Sequence, residues 1–125
     1  MSKYDVNRFR NVTVALNTPF TASGDLDLAA AKKLTRYYIN KGIKSLYVCG
    51  STGEGFLLDN EERMKLVEAV VDEAGDDLSV IVHVGCPSTR HAVMLAAHAQ
   101  KAGAAATSAV PCVYYHLGEE SVYQH

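Results

Sequence analysis

The 125-residue chain contains no apolar run approaching ~18 to 20 residues, so no membrane-spanning helix is expected. It also lacks any long basic run, and with a formal net charge of -2 it is not suited to nucleic acid as its main partner. The opening residues, Met1-Ser-Lys-Tyr-Asp-Val-Asn-Arg-Phe-Arg10, are polar and charged without the apolar block of a secretory signal. A cytoplasmic location is the expectation. Cysteine is scarce: Cys49, Cys86 and Cys112 are odd in number and form no C-x-x-C pair. That pattern favours reduced thiols over a disulfide framework, and no metal site is expected. The glycines of Gly50-x-x-Gly53-x-Gly55 do not follow the G-x-G-x-x-G spacing, and no Gly-Lys-Ser/Thr comes after them, which argues against a nucleotide loop.

What is present is a repeated plan, within a length that allows one domain at most. Val12 to Leu16 reads as a first strand, closed by Asn17-Thr-Pro19, and Leu26 to Asn40 as a helix capped by Asp25 or Asp27 and ended by Gly42. Ser45 to Cys49 is a second strand running into a glycine turn. Asp59 or Asn60 caps a helix of Glu61 to Ala74, which Gly75 stops. Leu78 to Val84 is a β-branched strand, followed by a helix from about Arg90 to Ala102 closed by Gly103. A fourth strand, Ala106 to Val110, leads to Pro111-Cys-Val-Tyr-Tyr115, and Glu119 to His125 reads as a helix beginning.

Alternating strands and helices with near-continuous apolar strands imply an α/β fold with a parallel sheet covered on its faces. Four βα units fit half of a (β/α)8 barrel or a small doubly wound sheet. In both, loops at the carboxyl ends of the strands carry function, so Asn17 to Pro19, Gly50 to Gly55, Gly85 to Thr89 and Pro111 to Tyr115 share one rim. Of these, Gly50-Ser-Thr-Gly-Glu-Gly55 is the most specific. Its glycines let backbone N–H groups point into one concavity, and Ser51 and Thr52 add adjustable donors that suit a carboxylate or a phosphate. The plainer reading is a strand-to-helix turn whose hydroxyls cap the next helix. Glu54 reads as a helix-end carboxylate ahead of an acid or base, His83 as a satisfied core or rim histidine ahead of a ligand, and His91 and His98 as part of a solvated helix face.

These residues resemble the dihydrodipicolinate synthase and N-acetylneuraminate lyase group of class I aldolases. The resemblance covers essentially the whole chain and rests on Ala15-Leu-Asn-Thr-Pro-Phe20, on Gly42 to Gly55 with Glu62 following, on His83-Val-Gly85, and on Tyr114-Tyr115. Serine at position 51, where the synthases usually carry threonine, together with His83-Val-Gly-Cys86 and Ser108-Ala-Val110, is more similar to the lyase branch. The resemblance implies the first four βα units of a TIM barrel, residues 1–125 being its amino-terminal half.

It implies further a carbon–carbon lyase that forms a lysine Schiff base with pyruvate, without metal or organic cofactor. In the lyase branch the reaction is reversible cleavage of sialic acid to pyruvate and N-acetylmannosamine. Ser51 and Thr52 would hold the pyruvate carboxylate, with Thr18 nearby and Tyr47 supporting the wall. Tyr114 and Tyr115 match an aromatic pair near the active site or a subunit contact. The Schiff-base lysine and proton-relaying tyrosine belong to later strands, so no catalytic residue is assigned here. Lys32, Lys33, Lys41, Lys65 and Lys101 fall on helices or their ends, Lys3 in the tail, and Lys44 at the wrong end of strand two. The chain alone is expected to be inactive. Expected partners are the small-molecule ligand and either a second copy or a carboxyl-terminal half. A dihydrodipicolinate synthase or other pyruvate aldolase, and a noncatalytic self-associating half-barrel, are the alternatives. Two departures from the family pattern, Ala105 in place of an aspartate and Thr107 in a strand expected to be buried, bear on stability.

Overall fold

The computed structural model describes residues 5–111 and 114–125. A 3-10 turn, Val6–Phe9, precedes four strands, β1 (Thr13–Ala15), β2 (Ser45–Val48), β3 (Ser79–His83) and β4 (Ala106–Ser108). Between them run α1 (Leu28–Asn40), α2 (Asn60–Ala74) and α3 (Thr89–Ala102), and a short α4 (Glu119–Gln124) follows. Every pairing is parallel, in the order β1-β2-β3-β4. A doubly wound sheet reverses its strand order at a switch point; this one advances one strand at a time, as a barrel wall does.

Local chemistry explains the boundaries. Asp27, not Asp25, caps α1, its carboxylate accepting the Ala30 N–H at 2.8 Å. Asp25 instead accepts the Ser23 hydroxyl within the preceding turn, where Phe20 and Leu26 form an isolated antiparallel bridge. Asp59 and Glu62 form a reciprocal capping box on α2, with bonds of 2.8 and 2.9 Å. Ser88 caps α3, and Gly103 ends it at φ 99, a left-handed conformation that glycine adopts without Cβ strain.

The pleat divides each strand between two faces. Leu46, Val48, Val80 and Val82 pack with Leu66, Val67, Val70, Leu95 and Ala99 in the core between sheet and helices. Burying each such Leu or Val side chain contributes roughly 1.5–3 kcal/mol. The alternate residues, Ser45, Tyr47, Ser79, Ile81 and His83, form the inner face, which is therefore more polar than a near-continuous apolar strand suggests. Arg8 reaches this face from the amino-terminal end, its Nε donating to Ser79 Oγ at 3.2 Å.

Two expectations change here. Thr107 is exposed, so its hydroxyl is solvated and needs no buried partner. His98 is not simply solvated: its Nε2 lies 2.8 Å from Glu68 Oε1, joining α3 to α2, whereas His91 is exposed. Ion pairs of Lys32 with Asp72 and of Arg36 with Glu73 tie α1 to α2 on the outer surface, and Arg36 also reaches Asp77 in the turn after α2.

Candidate active site

Parallel pairing places the carboxyl ends of β1, β2 and β3 on one edge, so Thr18, the Gly50 to Gly55 turn and Gly85 share a rim. From the fourth rim segment, Cys112 and Val113 lie outside the described residues. The turn is built by close backbone approach. A Cβ on Gly55 would stand 1.9 Å from the Cys49 carbonyl oxygen, and one on Gly53 would stand 2.8 Å from that of Leu16. Neither position admits a side chain without moving main chain. Thr18, buried at the end of β1, donates its hydroxyl to the Gly53 carbonyl at 2.5 Å and fixes the turn to the neighbouring strand.

Within the turn, the Glu54 N–H donates to Ser51 O at 3.0 Å and the Gly55 N–H to Gly50 O at 3.1 Å. Among the described residues, the N–H groups of Gly50, Ser51, Thr52 and Gly53 donate to no backbone carbonyl, and the exposed Ser51 and Thr52 side chains make no hydrogen bond. Consecutive donors without a backbone acceptor, beside two free hydroxyls, are the groups from which a backbone nest is built. The alternative capping role for these hydroxyls does not hold, because Asp59 caps α2. Glu54 is likewise not a helix-end carboxylate: it sits in a run of turns at φ 55, exposed, six residues before α2 begins at Asn60.

Tyr47 forms a wall beside the nest. Its ring lies where a Gly50 Cβ would meet Cε1 at 2.5 Å, and its hydroxyl is 3.1 Å from Ser108 Oγ, linking β2 to β4 across β3. Tyr114 and Tyr115 pack edge to face on each other, ring centroids 5.0 Å apart, but are 91% and 69% exposed. Thr18 and Tyr47 both meet the Gly50 to Gly53 turn that carries Ser51 and Thr52.

Beneath the rim lies a residue that sequence reasoning passed over. Arg63 of α2 is 3% exposed, and its guanidinium donates to His83 O at 2.6 Å and to Gly85 O at 3.1 Å. Its spacing with Leu66, Val67 and Val70 on the buried stripe of α2 was the available signal. Phe56 meets the His83 ring edge to face at 5.4 Å. His83 Nε2 accepts the Val110 N–H at 3.3 Å; Nδ1 is buried without a hydrogen bond of good geometry, the Cys49 main chain lying close to the ring. Burial, reinforced by the Arg63 charge, holds the His83 pKa below its ordinary value. Burial also pushes the Cys49 thiol up to about 11, against the opposing pull of Arg63.

Among the described residues no group of three or more His, Cys, Asp or Glu side chains is placed to hold a metal. Nor does any described lysine stand on the carboxyl edge: Lys44 precedes β2, and the others lie on helices or their ends. No described helix is long and apolar enough to cross a membrane.

A parallel sheet that adds strands in sequence, with a glycine and hydroxyl turn at its carboxyl edge, defines the class: these are the first four βα units of a (β/α)8 barrel, a fold that builds its sites from βα loops. Residues 8–125 match the Dihydrodipicolinate synthetase family, and the chain belongs to that family. It is 42% identical over 113 residues to a 4-hydroxy-tetrahydrodipicolinate synthase of Chlorobaculum parvum, covering 90% of this chain and 38% of the relative. It is 46% identical over 107 residues to N-acetylneuraminate lyase 2 of Escherichia coli, covering 86% of this chain and 35% of the relative. The fold superposes on a Ruminococcus gnavus sialic acid aldolase carrying a catalytic lysine mutation with a TM-score of 0.91 at 32% identity, over 96% of this chain and 39% of that one. The chain thus spans less than two fifths of the length of these relatives.

Proposed function

We propose that this chain supplies the carboxylate-binding part of a pyruvate-dependent Schiff-base aldolase site of the N-acetylneuraminate lyase type. The observation that carries the reading is the set of unpaired N–H groups and free Ser51 and Thr52 hydroxyls at the carboxyl edge, locked by Thr18. A carboxylate held there would have its α-carbonyl fixed over the barrel mouth, with the Tyr47 ring limiting its tilt. An imine-forming lysine would then supply the electron sink for carbon–carbon cleavage.

No described lysine stands at that edge, so residues 1–125, acting as an amino-terminal half-barrel, bind without turning over. Tyr114 and Tyr115, exposed as an edge-to-face pair, would serve the active site, a subunit contact or the rest of a barrel. Serine at position 51 and the His83-Val-Gly-Cys86 segment favour the lyase over a dihydrodipicolinate synthase. Against that preference, relatives of both kinds share 42% identity with the chain.

Borohydride reduction in the presence of pyruvate, read by intact mass and peptide mapping, tests the missing electron sink. No adduct is expected on the 125-residue chain. A stoichiometric adduct on one lysine would show instead a self-sufficient aldolase. The second reading, a noncatalytic half-barrel, draws on the unpaired outer edges of β1 and β4. Sedimentation showing a discrete dimer without pyruvate binding would favour it.

A further inference from the structure

The Arg63 side chain poses a problem that its hydrogen bonds do not solve. It is 3% exposed, and among the described residues no carboxylate pairs with it. Its Nε is buried without a nitrogen or oxygen partner, and beyond the carbonyls it bonds, the group that meets the guanidinium is the neutral Cys49 thiol. Taking a guanidinium out of water costs several kcal/mol, and two neutral carbonyls, those of His83 and Gly85, offset only part of that. If the only task were to tie down the end of β3, a neutral amide would donate to a carbonyl without burying a charge.

The charge sits at the carboxyl end of β3, the strand adjacent to the one that runs into the nest. The guanidinium perturbs Cys49, the residue immediately before Gly50, as well as His83 on the adjacent strand. Within residues 50–55 the one carboxylate, Glu54, is exposed, so its opposing field is screened by solvent while that of Arg63 is not. Backbone N–H groups and hydroxyls donate to a neutral carbonyl as well as to a carboxylate; the carboxylate bonds are the stronger, but at an exposed turn solvent competes for them, and a buried charge adds a preference that solvent screens less.

We infer that Arg63 is the buried positive pole of the nest: a positioning residue that touches no substrate but makes the Ser51–Thr52 site select an anionic carboxylate over a neutral isostere. This rests on the carboxylate-binding reading of Ser51 and Thr52 and adds to it the source of charge selectivity. A unit charge acting over on the order of 10 Å at an effective dielectric of about 20 changes the affinity of an anion about tenfold.

The test compares pyruvate with pyruvamide, its neutral amide, by titrating the Ser51, Thr52 and Gly53 amide signals of the 125-residue chain and of its Arg63→Lys and Arg63→Gln variants. The original chain is expected to prefer pyruvate. Arg63→Gln should lose about tenfold of that preference with pyruvamide binding unchanged, and Arg63→Lys, which keeps the charge but not the fork, should retain it. Retention of the preference in Arg63→Gln overturns the inference and leaves the carboxylate site standing. Equal loss in both variants also overturns it, since the fork to the carbonyls would then be what matters. If Arg63→Gln does not fold, Arg63→Lys decides alone: retention supports the charge and loss overturns it. Equal binding of the two ligands by the original chain refutes the inference, and binding of neither refutes the carboxylate site together with it.

Discussion

The hydroxyl of Thr18 donates to the carbonyl oxygen of Gly53 at 2.5 Å, across 35 residues of chain and between the ends of two adjacent strands. This one bond converts a glycine turn into a fixed nest. Thr18→Val keeps the shape, deletes the donor and leaves a buried carbonyl unsatisfied. A loss of about 1–3 kcal/mol is expected in urea unfolding, with faster amide exchange confined to residues 51–55 and recovery of both in Thr18→Ser.

Gly55→Ala should be far worse than its size suggests, because the added methyl would meet the Cys49 carbonyl at 1.9 Å and only main-chain displacement relieves that contact. A loss above about 3 kcal/mol, or failure to fold, is the expectation. Gly118→Ala is the control: its Cβ meets nothing within 4 Å and its φ is -66. Thermal melts of the two variants should differ widely.

Asp59 and Glu62 cap α2 reciprocally, so their substitutions should not add. Asp59→Ala alone is expected to cost about 1 kcal/mol. The double variant with Glu62→Ala should lose less than the sum of the singles in chemical denaturation.

Stability should fall on both sides of neutrality. The folded His83 pKa lies below its ordinary value, so the unfolded chain binds the proton more readily. Stability is therefore present above the ordinary histidine range and is lost as pH falls from about 6.5 toward the depressed folded value. Cys49 acts at the other end: its thiol is raised from 9.0 to about 11, so stability is lost as pH rises through that interval. Urea midpoints across pH should show both arms. His83→Gln should flatten the acid arm, and Cys49→Ser the alkaline one.

Much of this fold is legible in the sequence because period and punctuation agree. Asp59, Gly75 and Gly103 mark helix ends where local chemistry alone decides, and the strand cores at Leu46 to Val48 and Val80 to Val82 follow from apolar runs. The nest was legible for the same reason: glycines and hydroxyls are consecutive. The exposure of Thr107 was not legible, because whether a strand position is buried depends on what packs over its face and not on the strand's own residues. Arg63 was missed because a charge on an apolar helix stripe gains meaning only when the facing carbonyls of His83 and Gly85 are known, and those lie 20 and 22 residues away.

The most direct measurement is a pyruvate titration of the isotopically labelled 125-residue chain, followed through its backbone amide signals. Saturable shifts centred on Ser51, Thr52 and Gly53, with a smaller response at Thr18 and loss of all of them in a Ser51→Ala, Thr52→Val double variant, are the expected result. Shifts centred elsewhere, or none at the nest while the chain is folded, would contradict the assignment of this turn as a carboxylate site.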